Sequence, residues 1–139
     1  MQIDFQEVLA RADGCQPAMC SFLRDLVKIP SQSRHEAAII ARIRQEMAVT
    51  GFDRIEVDPM GNILGYAGTG QHLIAMDAHV DTVGPGRMDN WTCDPYTGHE
   101  TDTTIHGLGS SDQAGGMAAM VYAVKIMKEL DLLSGVTLL

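Results

Sequence analysis

Two short runs in this sequence contain residue types that can do chemistry together. The first is Asp77-Ala78-His79-Val80-Asp81-Thr82. Along an extended strand alternate side chains share a side, so Asp77, His79 and Asp81 are expected to project together. Neutral imidazole is a common metal ligand, and a carboxylate two residues away can fix its tautomer and raise its basicity. The blander reading is a strand-end turn that contains polar residues, because His-x-Asp alone is a weak signal.

The second run is Gly107-Leu108-Gly109-Ser110-Ser111-Asp112-Gln113-Ala114-Gly115-Gly116. It is not a P-loop, since no Gly-Lys-Ser/Thr follows. It is not a dinucleotide fingerprint either, because Asp112 stands where the third glycine should be. A nucleotide-binding module therefore has little support. Asp112 lies just ahead of a helical pattern and could simply cap it, which is the commoner fate of Asp there. The sharper reading makes Asp112 a metal ligand held by a glycine-rich backbone. His-x-Asp followed by Gly-x-Gly-x-x-Asp-x-x-Gly-Gly is much more specific than either run alone.

The elements around these runs must place them. Asp4 can cap a helix over Phe5–Ala12, ended by Asp13-Gly14. Pro17 suits the first turn of a second helix that stops before Pro30, with Met19, Phe22, Leu23, Leu26 and Val27 on one face. A third helix is expected over Arg34–Thr50, with Ala37, Ile40, Ile43 and Met47 inward and Gly51 closing it. Arg54–Asp58 and Ile63–Ala67 read as a hairpin about the turn Pro59–Asn62. His72–Asp77 is a short apolar run expected as a strand buried on both faces. The carboxyl end of such a strand is where open α/β sheets place ligands. The stretch Thr82–Gly109 shows no periodicity, and loops that long are usually functional or disordered. A helix over Gly115–Leu130 turns Met117, Met120, Val121, Val124 and Met127 inward. Val136–Leu139 opens another buried strand, so the sheet is expected to continue beyond Leu139.

Composition narrows the class. The chain has 139 residues, 45% apolar and 20% charged, which fits one globular domain. Eighteen acids against ten Lys and Arg give a formal charge of −8. That argues against nucleic acid or an anionic membrane as partner, since both require basic patches. No apolar run is long enough to span a bilayer. The three cysteines form no C-x-x-C and fit free thiols in a reducing cytoplasm.

The sequence resembles the zinc-dependent metallohydrolases of the acetylornithine deacetylase, succinyl-diaminopimelate desuccinylase, carboxypeptidase G and aminoacylase family. The resemblance runs through Phe22–Ser33 (FLRDLVKIPSQS), Gly51–Gly65, Met76–Val83 (MDAHVDTV), Trp91–Tyr96 and Gly107–Met120. Within the family it is most similar to the bacterial group of selenium-metabolism-linked hydrolases. The resemblance implies an α/β fold, the N-terminal part of a zinc-exopeptidase-like catalytic domain with a mixed sheet flanked by helices. Residues 1–139 would be a partial catalytic domain, interrupted within a central strand and without the family's lid and dimerisation domain.

The resemblance also implies roles. His79 matches a metal ligand, Asp81 the carboxylate that orients that histidine, and Asp112 the carboxylate bridging two metals. A cis peptide is implied at Asp112–Gln113. The cofactors implied are two divalent ions, zinc foremost, with cobalt or manganese as alternatives. Leu108 departs from the arginine many relatives carry between the two glycines, which puts the anchoring of that loop in question. The family's general base and remaining ligands follow a strand matching Val136–Leu139, and no Glu here matches the base. The expected function is therefore a share of a di-zinc amide-bond hydrolase acting on N-acyl amino acids or small peptides, inactive as an isolated chain. The alternative is a non-catalytic product with a partial metal site that self-associates through an unfinished sheet edge. His35, His72, His99 and His106 match no ligand motif and read as surface or loop residues, with His106 close in sequence to Asp112.

Overall fold

The computed structural model describes residues 3–139. It is an α/β arrangement in which three helices pack together beside short strands, as expected. Helix α1 spans Phe5–Val27, α2 Ala37–Val49 and α3 Gly115–Glu129. Strands β1 (Arg54–Val57) and β2 (Ile63–Tyr66) form the expected antiparallel hairpin. Strands β3 (His72–Ile74) and β6 (Val136–Leu138) pair in parallel. Ala67, just after β2, bridges antiparallel to Leu138, so the hairpin and the parallel pair meet at β6. Between β3 and α3 lies a separate small hairpin, β4 (His99–Glu100) with β5 (Ile105–His106). Among the described residues no helix is long and apolar enough to cross a membrane.

The first two predicted helices are one. Asp4 caps α1 as expected, its carboxylate accepting from the Gln6 N–H at 2.9 Å. The helix then runs straight through Asp13, Gly14 and Pro17. Proline has no N–H to give the carbonyl one turn back, and glycine weakens a helix interior. Both are tolerated because Asp13, Gly14 and Pro17 face solvent, where water can serve the freed carbonyl. Tertiary contact then outweighs propensity: Cys15, Met19 and Leu23 on this helix pack against the core.

Helix α2 begins three residues later than the spacing predicts. Arg34 holds a positive φ of 76°, and its N–H donates to Glu36 Oε1 at 2.7 Å, so the turn before the helix consumes Arg34–Glu36. Ala37 is exposed, whereas Ile39, placed off the expected stripe, is buried with Ile40, Ile43 and Met47. The main core unites Phe22 and Leu26 of α1, Ile39, Ile43 and Met47 of α2, and Met117, Ala118, Val121 and Tyr122 of α3. A smaller cluster of Ala67, Val124 and Leu138 ties α3 to the strands.

The core also holds a charge. Glu46 on α2 is 7% exposed. Its carboxylate accepts from the Tyr122 hydroxyl at 2.5 Å and from Arg42 at 2.8 Å. Arg42 also reaches Asp25 of α1 at 3.1 Å and lies 4.8 Å over the Phe22 ring. Burial and the Glu46 carboxylate together push the Tyr122 hydroxyl pKa well above its ordinary value.

The strand expected over His72–Asp77 and buried on both faces is neither that long nor buried. Regular pairing covers His72–Ile74, and the backbone contact ends with Met76 N–H donating to Leu139 at 2.8 Å. Leu73 is 61% and Ile74 49% exposed. The apolar composition reported a preference for burial, but among the described residues β3 has a partner only on its β6 side. Its approach to β6 depends on Gly70, where a Cβ would fall 1.8 Å from the Gly135 carbonyl carbon. The long stretch Thr82–Gly109 is folded, not featureless: it carries the β4–β5 hairpin and buries Pro95.

These contacts make two stability predictions. Glu46→Ala leaves Arg42 and Tyr122 with a shared partner missing and is expected to cost about 3 kcal/mol by denaturant unfolding. Tyr122→Phe removes one hydrogen bond and should cost about 1 kcal/mol. A raised phenol pKa stabilises the fold fully below pH 10.0, and that contribution is lost as the pH rises through the folded-state value. Wild-type stability should thus fall above pH 10.0 more steeply than that of Tyr122→Phe.

Candidate metal centre

Three segments converge on His79. The segment after β3 carries His79 and Asp81 and belongs to no regular strand or helix. The polar loop Ser31–Ser33 lies against it: Thr82 N–H donates to the Ser31 carbonyl at 2.9 Å, and Gln32 and Thr82 form an isolated parallel bridge. The turn Ser110–Ala114 ahead of α3 brings in Asp112. Gly109 makes that turn possible. Its φ is +73°, and a Cβ there would sit 2.7 Å from Thr82 Cγ2, so only glycine lets the two segments approach this closely.

Asp112 does not cap α3. The residue preceding the helix is Ala114, with no side-chain cap, and Asp112 and Gln113 have non-helical φ/ψ. The Asp112–Gln113 peptide is cis, as the resemblance implied. The Asp112 carboxylate turns instead to His79, with Oδ1 2.8 Å from Nε2. The other ring nitrogen, Nδ1, lies 3.0 Å from the Asp81 carbonyl oxygen and 3.5 Å from Asp81 Oδ1. Asp77 joins neither residue, because the regular strand ends before it and strict alternation no longer applies. The Leu108 N–H donates to the Pro95 carbonyl at 2.8 Å, so the backbone anchors this loop without an arginine. His35, His72, His99 and His106 are all exposed and outside this cluster.

Two contributors were not singled out from sequence. Ser33 donates from Oγ to Asp81 Oδ2 at 2.5 Å. Gln113 Oε1 accepts the His79 backbone N–H at 2.9 Å. The Ser-Gln-Ser run after Pro30 was a polar loop with no partner visible in one dimension. Gln113 sits beside Asp112, but its reach across to His79 requires the turn.

The electrostatics follow from these contacts. The Asp112 hydrogen bond, then that of the Asp81 carbonyl, raise the His79 pKa above 6.5. The Ser33 hydroxyl holds the Asp81 carboxyl below 3.8. With Nδ1 turned to Asp81, the Nε2 side of the ring is the one available to a ligand, and it faces a carboxylate. One imidazole nitrogen and one carboxylate oxygen are donors suited to zinc and its neighbours. They fit a divalent ion as a partial donor set. Among the described residues no group of three or more His, Cys, Asp or Glu side chains is arranged to hold one.

Residues 75–139, which include both His79 and Asp112, match the sequence profile of Peptidase family M20/M25/M40. Over 137 residues the chain is 56% identical to the uncharacterized protein YgeY of Escherichia coli (strain K12), spanning 99% of this chain and 34% of that protein. It is 30% identical over 114 residues to a probable succinyl-diaminopimelate desuccinylase of Staphylococcus epidermidis, spanning 80% of this chain and 28% of the relative. The fold matches the Saccharomyces cerevisiae di-peptidase Dug1p with a TM-score of 0.82 at 20% identity, covering 99% of this chain and 34% of that one. Residues 75–139 therefore carry the sequence pattern of peptidase family M20/M25/M40, a family of hydrolases that includes metallopeptidases. The chain spans about a third of the length of the curated relatives it matches.

In metal-free protein the His79 imidazole is expected to titrate above 6.5, and Asp112→Asn should bring it back toward that value. A raised histidine pKa stabilises the pairing below pH 6.5 and releases it as the pH rises through the folded-state value. Long-range ¹H–¹⁵N spectra of the ring across pH read this directly. An unchanged midpoint in Asp112→Asn would show that the two side chains do not interact in solution.

Proposed function

We propose that this chain supplies part of the centre of a two-metal amide-bond hydrolase. His79 and Asp112 would hold the metal ions, with the Asp112 carboxylate as the ligand the two ions would share, and Asp81 orients His79. The observation that carries this reading is the 2.8 Å approach of His79 Nε2 to Asp112 Oδ1, with Nδ1 turned to Asp81. Residues far apart in sequence thus present one nitrogen and one oxygen to the same point.

Divalent ions held there would supply Lewis acidity toward a scissile carbonyl and lower the pKa of a water. The chain's own residues have narrower tasks. Asp81 keeps a proton on Nδ1, so that Nε2 remains the ligating atom. Ser33 keeps Asp81 ionised, and Gln113 fixes the backbone that carries His79. The substrate class is small N-acyl amino acids or peptides, in line with the desuccinylase and di-peptidase names of the relatives. Zinc is the favoured ion, with cobalt and manganese as alternatives. Among the described residues only a partial donor set meets at this point, and on this reading the 139-residue chain by itself is inactive as a catalyst. The cytoplasm is the proposed compartment, from the three free cysteines.

A second reading rests on a different observation. The outer edge of β3 carries exposed Leu73 and Ile74, followed by Met76 at 36% exposure. Such an edge invites pairing between copies. Sedimentation should then show association that Ile74→Lys suppresses, and a monomer at all concentrations would end this reading.

The main reading is tested by calorimetric titration of zinc into demetallated protein, with Asp112→Ala in parallel. One weak site lost in Asp112→Ala is the expected result. Equal zinc binding by both proteins would remove Asp112 from the centre.

A further inference from the structure

We propose that His99 and His106 form a separate cation-binding clamp on the β4–β5 hairpin, suited to a late first-row divalent ion such as Cu(II), Ni(II) or Zn(II). The two residues are direct cross-strand partners. Opposed residues of an antiparallel pair put their side chains on the same face. The ring centroids are 6.0 Å apart, with the planes tilted by 36°. Metal–imidazole bonds of about 2.0–2.1 Å place the centroids of two coordinating rings roughly 4.5–5 Å apart. The rings therefore have to close by about 1 Å, a torsional adjustment that exposed side chains make readily.

The hairpin is already braced, so little ordering is left to binding. Arg24 of α1 donates from Nε to the Gly98 carbonyl at 3.2 Å and pairs with Glu100 at 2.8 Å. Glu100 lies on the opposite face from the histidines, where Arg24 engages it. At the far end, Thr101 N–H donates to the Thr104 carbonyl at 2.8 Å, and Thr101 Oγ1 accepts from the Thr104 N–H. Both strands are thus held in register around the two rings. Two imidazoles leave the remaining coordination positions to water. The clamp takes ions in the order of intrinsic affinity for nitrogen ligands, Cu(II) first.

The clamp is independent of the His79–Asp112 centre, and its test removes that centre. Cu(II) is titrated into the 139-residue chain carrying His79→Ala and Asp112→Ala, and paramagnetic loss of backbone amide signals is followed. The signals of Glu100 and Ile105 are expected to disappear first, below one equivalent. Loss of a ligand's outer-shell partner alone costs about tenfold or more in affinity, so adding His106→Gln or His99→Gln, which removes a ligand outright, should weaken that local effect by at least as much. Signal loss centred elsewhere, or an unchanged titration in either glutamine variant, would overturn the proposal. Failure of zinc to bind at Asp112 would leave it intact.

Discussion

A carboxylate inside the helical core sets the relation among the three helices. Apolar surfaces such as those of Val121 and Ile43 tolerate small slides, because dispersion contacts are non-directional. Glu46 does not, since a buried charge must be met by donors at defined positions. Tyr122 of α3 meets it from one side and Arg42 from the other, and Arg42 carries the linkage to Asp25 of α1. The rotation and height of α3 against α2 are fixed by that short phenol–carboxylate contact. Everything at the amino end of α3 inherits the setting, including the turn that presents Asp112.

The candidate centre illustrates how little of a site has to be regular structure. His79 and Asp81 lie just beyond a three-residue strand, Ser33 lies in a loop, and Asp112 lies in a turn. What holds them is a chain of specific backbone contacts: Ser31 to Thr82, Gln113 to His79, and Gly109 pressed against Thr82. The net charge of −8 is no obstacle to a cation site. It disfavours anionic partners and favours the arrival of divalent ions.

Much of this was legible in the chain. The α3 boundary, the β1–β2 hairpin and its turn, and the parallel of His-x-Asp with the glycine-flanked Asp112 all follow from local patterning. The failures have physical causes. Pro17 and Gly14 signal a break, but a long-range apolar face on Cys15, Met19 and Leu23 carries the helix through them. Glu46 gives no sequence sign of burial, because its partner Tyr122 is remote in the chain. The apolar letters of β3 express a preference for cover that the described residues meet on one edge only. Ser33 and Gln113 act through geometry, which no spacing rule encodes.

The parallel pairing of β3 with β6 has a consequence for how the molecule comes into being. His72 cannot find its partner until Val136 exists, and nearly half the chain lies between them. Closing so large a loop carries an entropic cost that local contacts do not. Emerging from the ribosome, α1, α2 and the β1–β2 hairpin can collapse early around Phe22 and Ile43. The segment bearing His79 can lean on the Ser31–Ser33 loop, but its place beside β6 and Asp112 must wait until α3 has docked and the following strand arrives. The two ligands of the candidate centre are therefore brought together only once β6 has been made and α3 has docked, and until then the segment bearing His79 is metal-blind.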